Sequence, residues 1–163
     1  MEAKLRGRPR STCGARCRKR LSRSCPFPRE MVDARRWACA AGKRPVMVDG
    51  SPASSTDVST WDSFGACSGR EGFGFMLGGG FACIDLDGCL DDGVLAEWAV
   101  PIVAANPGAF IEVSVSGRGL HIFGLLTEGR GFRRGGVEVY SRARFIRVTG
   151  RVWQRGSIVP LVV

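Results

Sequence analysis

Residues 72–88, GFGFMLGGGFACIDLDG, decide the fold. Two apolar runs flank Gly78, Gly79 and Gly80, which predicts a β-hairpin closed by a glycine turn, because such turns need backbone conformations that glycine enters without strain. The second run, Cys83-Ile84-Asp85-Leu86-Asp87, sets two carboxylates at i and i+2. Strand residues alternate between faces, so Asp85 and Asp87 share one face while Ile84 and Leu86 turn into the core. Carboxylates at this spacing repel, and a cation between them relieves the repulsion. Hard Mg²⁺ or Mn²⁺, which take oxygen ligands together with waters and phosphates, are the expected cofactors. Read without a metal, the motif is a strand end with two solvated acids.

On the C-terminal side, IEVSVSG and LHIFGLL predict a second strand pair around Gly117 and Gly119, and VEVYSRARFIRVTG the last long strands. Residues 92–106, DGVLAEWAVPIVAAN, read as a helix that kinks or stops near Pro101. On the N-terminal side, Met31, Ala34, Trp37 and Ala38 stand at helical spacing, with Gly42 as the stop. Residues 42–64 read as a loop in which Ser59 or Thr60 caps a short helical turn carrying Trp61 and Phe64. The order of elements predicts an α+β fold with a mainly antiparallel sheet and helices on one face.

The chain has 163 residues and a net charge of +9, of which residues 1–23, with nine Lys or Arg and one Glu, hold +8. Residues 1–26 read as a flexible basic arm, since their Arg, Ser, Gly and Pro cannot bury enough surface to offset ordering entropy. Arg16, Arg18, Lys19 and Arg20 are its candidate contacts to nucleic-acid phosphates; a solvated tail that only aids solubility is the plain alternative. Residues 27–163 form the expected catalytic domain. No apolar window reaches the roughly 18–20 residues of a membrane span, so a cytoplasmic protein without a membrane partner is expected. Seven irregularly spaced cysteines suit a reducing compartment. Cys13, Cys17 and Cys25 invite a zinc site in the arm, but no second CxxC pair completes it and the only histidine is His121, so free thiols are expected.

Three further groups carry candidate chemistry. Glu138, in Val137-Glu138-Val139-Tyr140, is a strand acid that a sheet could bring beside Asp85 and Asp87 as a third metal ligand; Glu112 alternates similarly between Ile111 and Val113, and Glu138 is the favoured choice. Ser116-Gly117-Arg118-Gly119-Leu120-His121 joins a hydroxyl, two glycines, a guanidinium and an imidazole, the composition of a triphosphate cradle. Arg142 and Arg144 follow Tyr140 on the face of Glu138 if the strand continues, near where substrate phosphates would lie; Lys43, Arg147 and a stacking role for Tyr140 are weaker candidates. No GxxxxGK[ST] phosphate loop occurs, so no attached motor is expected.

Taken together, residues 74–80, the paired-aspartate strand 83–87, Ser114 to His121, and Val137 through Thr149-Gly150 resemble the archaeo-eukaryotic primase superfamily, and within it the phage and plasmid primase-polymerases. The likeness runs from about Lys43 to Gly150. It implies an RRM-like palm joined to a small N-terminal α/β module. It makes Asp85, Asp87 and Glu138 the ligands of a two-ion site. It makes Ser116 and His121, with the intervening glycines, contacts to the incoming nucleotide. The chain stops 13 residues after Gly150, whereas related enzymes often continue into a helical accessory region and a helicase, so a separate helicase partner is expected.

The expected function is therefore a template-directed DNA primase-polymerase of phage or plasmid replication, acting on nucleoside triphosphates and a single-stranded DNA template, in the host bacterial cytoplasm. Two rivals stand beside it. One is a non-catalytic single-stranded or origin DNA-binding replication module; the other is a metal-dependent nuclease or strand-transfer enzyme, which uses similar carboxylates.

Overall fold

The computed structural model describes residues 25–163. The strands are β1 (Trp37–Ala41), β2 (Arg44–Val46), β3 (Phe73–Met76), β4 (Phe81–Leu86), β5 (Leu90–Asp91), β6 (Val94–Leu95), β7 (Phe110–Val113), β8 (Leu120–Leu125), β9 (Phe132–Arg134), β10 (Val137–Tyr140), β11 (Phe145–Arg147) and β12 (Val152–Gln154). They build a six-stranded sheet in the order β12-β7-β8-β4-β10-β9, a four-stranded sheet in the order β11-β3-β1-β2, and the small ribbon β5-β6. Every pairing between these strands is antiparallel. With three α-helices of five residues or fewer among the described residues, the fold is a mostly antiparallel α+β arrangement.

One core fills the space between the two large sheets. Trp37, Cys39, Phe75 and Ile146 of the four-stranded sheet meet Cys83, Phe110 and Phe123 of the six-stranded sheet there, with Phe27, Met31 and Cys67. Trp37 anchors it. Its ring lies 5.0–5.3 Å from Phe27 and Phe75 in edge-to-face contacts, and its indole N–H donates to the Met31 carbonyl at 2.8 Å. A second core covers the opposite face of the six-stranded sheet: Ala82, Ile84, Leu86, Ile111, Leu120, Ile122 and Val139 pack with Ala99 and Leu161, and Ile102 and Val103 of the helix Val100–Ala104 lie against them. β4 is thus buried on both faces.

Five sequence expectations are corrected. Residues 73–86 form no hairpin: β3 belongs to the four-stranded sheet and β4 to the six-stranded one, and Gly78–Gly80, all at positive φ, carry the chain from one to the other with a single bridge between Gly78 and Phe81. The helical pattern from Met31 to Ala38 breaks at Asp33; only Arg29–Asp33 is helical, and Trp37–Ala41 pairs with β3. Met31 and Trp37 share a core because the strand folds back to it, and Gly42, at φ +63°, turns β1 into β2. Residues 44–46 are strand, and the short turns beyond them are capped by Asp57, which accepts from the Ser59 amide, and by Ser63, which accepts from the Ala66 amide. Pro101 opens the helix Val100–Ala104 instead of ending one, as suits a residue with no N–H to donate in the first turn. Likewise β10 ends at Tyr140 and β11 pairs in the other sheet, so residues 141–144 are a turn, with Ala143 at φ +49°.

Among the described residues no helix is long and apolar enough to cross a membrane. Because Trp37 is fully buried at the junction of both sheets, Trp37→Ala is expected to cost about 3–5 kcal/mol of stability. Urea unfolding followed by far-ultraviolet circular dichroism checks this; a loss below about 1 kcal/mol would refute its anchoring role.

Candidate functional site

Antiparallel register places two rows of side chains, two residues apart along the strands, on one face of the six-stranded sheet. The first row is Phe110, Phe123, Cys83 and Tyr140, each opposite the next. It is apolar and packs against the four-stranded sheet. The second is Glu112, His121, Asp85, Glu138 and Arg133, again each opposite the next. Every member of that row is ionisable. The sequence alternates apolar and charged residues on four strands, and the shared register turns four separate alternations into one stripe.

The stripe grades from buried to exposed. Glu112 is wholly buried, His121 and Glu138 are buried, Asp85 is partly exposed, and Arg133 lies largely in solvent. His121 stands between two acids: Nδ1 lies 3.1 Å from Glu112 Oε1 and Nε2 lies 3.9 Å from Asp85 Oδ1. Glu138 is engaged on both oxygens, Oε1 by Arg133 Nε at 2.9 Å and Oε2 by the Tyr140 hydroxyl, which donates to it. Arg144 covers the Tyr140 ring, with its guanidinium carbon 4.4 Å from the centroid. Asp87 follows the end of β4, exposed, with its amide bonded to the Gly136 carbonyl at 2.7 Å.

These neighbours shift two ionisations. Burial raises the Asp85 carboxyl above its ordinary value; His121 opposes this, Glu138 and Asp87 add to it, and Arg144 opposes it. Burial and the bond to Glu138 raise the Tyr140 phenol, so it stays a hydrogen-bond donor at neutral pH. Behind Asp85, burial and then Asp85 and Glu112 hold the Cys83 thiol far above its usual range, which makes it an inert core side chain.

The structure brings Asp85, Glu138 and His121 together and sets Asp87 at the end of the same strand. Glu112, the alternative third acid, faces His121 and the amides of Thr149 and Gly150, not the aspartates. The segment 114–119 is a tight turn joining β7 to β8. Its glycine geometry is real, with Gly117 at φ +77° and a Cβ on Gly119 only 2.8 Å from the Leu86 carbonyl, but its amides are satisfied internally. Gly117 N donates to Ser114 O, Arg118 N to Ser116 Oγ and Gly119 N to Ser114 Oγ. An anion here would have to draw those amides away from the Ser114 carbonyl and the serine hydroxyls. Ser116 and Arg118 are exposed at the turn. Arg144 reaches the site through the 141–144 turn, whereas Arg142 lies by Gly78 at the opposite end of β4. Arg147 is committed elsewhere, donating to the Gly42 carbonyl at 2.8 Å. Arg16, Arg18, Lys19 and Arg20, like Cys13 and Cys17, lie outside the described residues, while Cys25 is a free thiol.

Two contributors escaped the sequence reading. Arg133 sits on β9, a strand that the Gly135-Gly136 pair before VEVY would have signalled as one arm of a hairpin. Arg151 reaches back to the Ser114 and Val115 carbonyls and braces the 114–119 turn, a contact over 36 residues of sequence that no local pattern announces.

Among the described residues no three Asp, Glu, His or Cys side chains already form a metal cage. The chemistry of the donors fits a hard divalent cation nonetheless: Asp85 and Glu138 are opposed on neighbouring strands and Asp87 is two residues away, and a cation there would relieve the repulsion that Glu138 and Asp87 add to the burial of Asp85. No protein-family model and no curated protein matches the chain.

Since the folded Asp85 carboxyl titrates above its unfolded value, its contribution favours the fold at low pH and is lost as pH rises through the folded value. In chelator, Asp85→Asn is therefore expected to melt above the native chain at pH 7, with the gap closing toward about pH 4, the ordinary carboxylate range. Melting curves at both pH values check this; a variant that melts lower at pH 7 would show that Asp85 is a net stabiliser.

Proposed function

We propose that the chain is a template-directed nucleotidyltransferase of the primase-polymerase kind, with the six-stranded sheet serving as an RRM-like palm and the four-stranded sheet as the smaller N-terminal module. The observation that carries this reading is the cross-strand trio His121, Asp85 and Glu138 on the inner strands β8, β4 and β10, with Asp87 two residues beyond, beside a row that is sealed in the core. Three acids and a histidine within one stripe suit an anionic substrate that arrives with divalent cations.

Asp85, Asp87 and Glu138 would hold Mg²⁺ or Mn²⁺. When bound, such ions activate a 3′-hydroxyl and neutralise charge on departing pyrophosphate. His121 Nε2 and Ser116 Oγ would contact the triphosphate from the β8 side, and Gly117, Arg118 and Gly119 would shape that contact. Arg144 would add positive charge beside Tyr140, and Arg142 would sit further along the strand path. Arg133 and Tyr140 hold Glu138 in place, so a cation must compete with Arg133 for that carboxylate. A single-stranded DNA template would run over the cationic residues, including Arg16, Arg18, Lys19 and Arg20 of the arm, and unwinding would come from a separate helicase.

The same Arg133–Glu138 pair favours one second reading, a DNA-binding replication module that has kept the palm without synthesis, because an acid already neutralised by arginine is a poorer metal ligand. Primer extension on single-stranded DNA separates the two. The native chain is expected to extend a labelled primer only with Mg²⁺ or Mn²⁺, and Asp85→Ala with Asp87→Ala is expected to reduce product to background while the far-ultraviolet spectrum is kept. No extension by the native chain, with DNA binding that survives chelator and weakens steeply with salt, would select the binding module.

A further inference from the structure

We propose that Glu112 is a positioning residue that fixes which nitrogen of His121 faces the site. The carboxylate is wholly buried, which is costly unless its oxygens are satisfied. They are satisfied in two divisions. Oε2 accepts from Gly150 N at 2.8 Å and Thr149 N at 3.1 Å. Oε1 lies 3.1 Å from His121 Nδ1 and 3.2 Å from Thr149 N. The Thr149 hydroxyl, 2.6 Å from the Val113 carbonyl, gives its proton there.

A carboxylate oxygen that faces a ring nitrogen at this distance requires the proton on that nitrogen, since two lone pairs would repel. Nδ1 is therefore the protonated position, and Nε2 is the atom presented toward Asp85. Glu112 also ties the ring to the backbone at Thr149 and Gly150. The imidazole thus cannot turn without disturbing the chain that leads into β12. This is the arrangement by which an acceptor behind a histidine sets ring orientation in many sites. Glu112 reaches the acids only through His121. Its effect on nucleotide binding rests on the reading proposed above, while the proton placement does not.

Glu112→Gln tests this with almost no change in volume. The Thr149 and Gly150 amides are fixed donors, so the glutamine oxygen must stay with them and its NH₂ group must take the place of Oε1. That group can only donate, which forces Nδ1 to accept and moves the proton to Nε2. His121 is the only histidine in the chain, so its two ring nitrogens give one unambiguous pair of signals in a long-range ¹H–¹⁵N spectrum. At pH 7.5 the native spectrum is expected to show a proton on Nδ1, and the Glu112→Gln spectrum a proton on Nε2 only. The KM for the incoming nucleotide is expected to rise about 10-fold or more, as when an orienting partner of a metal-bound histidine is removed, with the KM for primer unchanged.

A native Nδ1 without a proton overturns the proposal by itself, even if the variant fails to fold. So does an Nδ1 that keeps its proton in Glu112→Gln. A proton that moves while the nucleotide KM stays constant removes His121 from the nucleotide site and with it the positioning role. A proton that moves in a chain showing no nucleotide binding or extension in either form upholds the placement of the proton and instead overturns the primase-polymerase reading.

Discussion

The like charges of Asp85 and Glu138, opposed on neighbouring strands at the margin of a buried sheet, constrain everything around them. Two carboxylates in that position are tolerable only if something answers them. Here the answers are Arg133 and the Tyr140 hydroxyl on Glu138 and the imidazole of His121 beside Asp85. Burial, with a smaller addition from Glu138 and Asp87, leaves the Asp85 carboxyl binding its proton more tightly than usual. Such a centre is ill-made as a structural ion pair and well-made to receive positive charge from outside.

The fold creates this position by ending its cover in the right place. The four-stranded sheet packs over the row Phe110, Phe123, Cys83 and Tyr140, and the ionisable row lies two residues further along the same strands. The glycine triplet before β4 makes that cover possible. By carrying the chain from one sheet to the other, Gly78–Gly80 place β3 above the core and β4 within it, where a hairpin would have kept both in one layer. A side chain at Gly79 would have to adopt a φ of +62° that L residues rarely take and would have to displace the Arg36 guanidinium, 2.3 Å from its Cβ.

Two acids that look alike in the sequence have opposite fates for the same reason. Glu112 and Glu138 each sit between apolar neighbours on a strand, and each faces the same side of the sheet. Glu112 lies on β7, under the Thr149-Gly150 turn, and its charge is spent on backbone amides and on His121. Glu138 lies on β10 beside Asp85 and meets side chains that a cation could displace. The difference between an acid bonded to backbone amides and an acid met by side chains therefore follows from strand order and not from local sequence.

The sequence alone determined the alternation that makes Cys83 to Asp87 a strand with its acids on one face, the strand pair around Gly117 and Gly119, and the mostly antiparallel α+β character, because these depend on neighbours within a few residues. The same local view misread Met31 to Ala38 as one helix, since a helix end and a folded-back strand can bury the same faces, and it misread the glycine triplet as a hairpin, since a turn looks alike whether its arms pair or part. Only the tertiary structure decided that His121 and Glu138 flank Asp85, that Arg133 and Tyr140 guard Glu138, and that Glu112 stands behind the histidine. They depend on register between strands whose partners lie far apart in the chain, 53 residues for Asp85 and Glu138, and register is set by packing of the whole sheet, which no short stretch of chain contains.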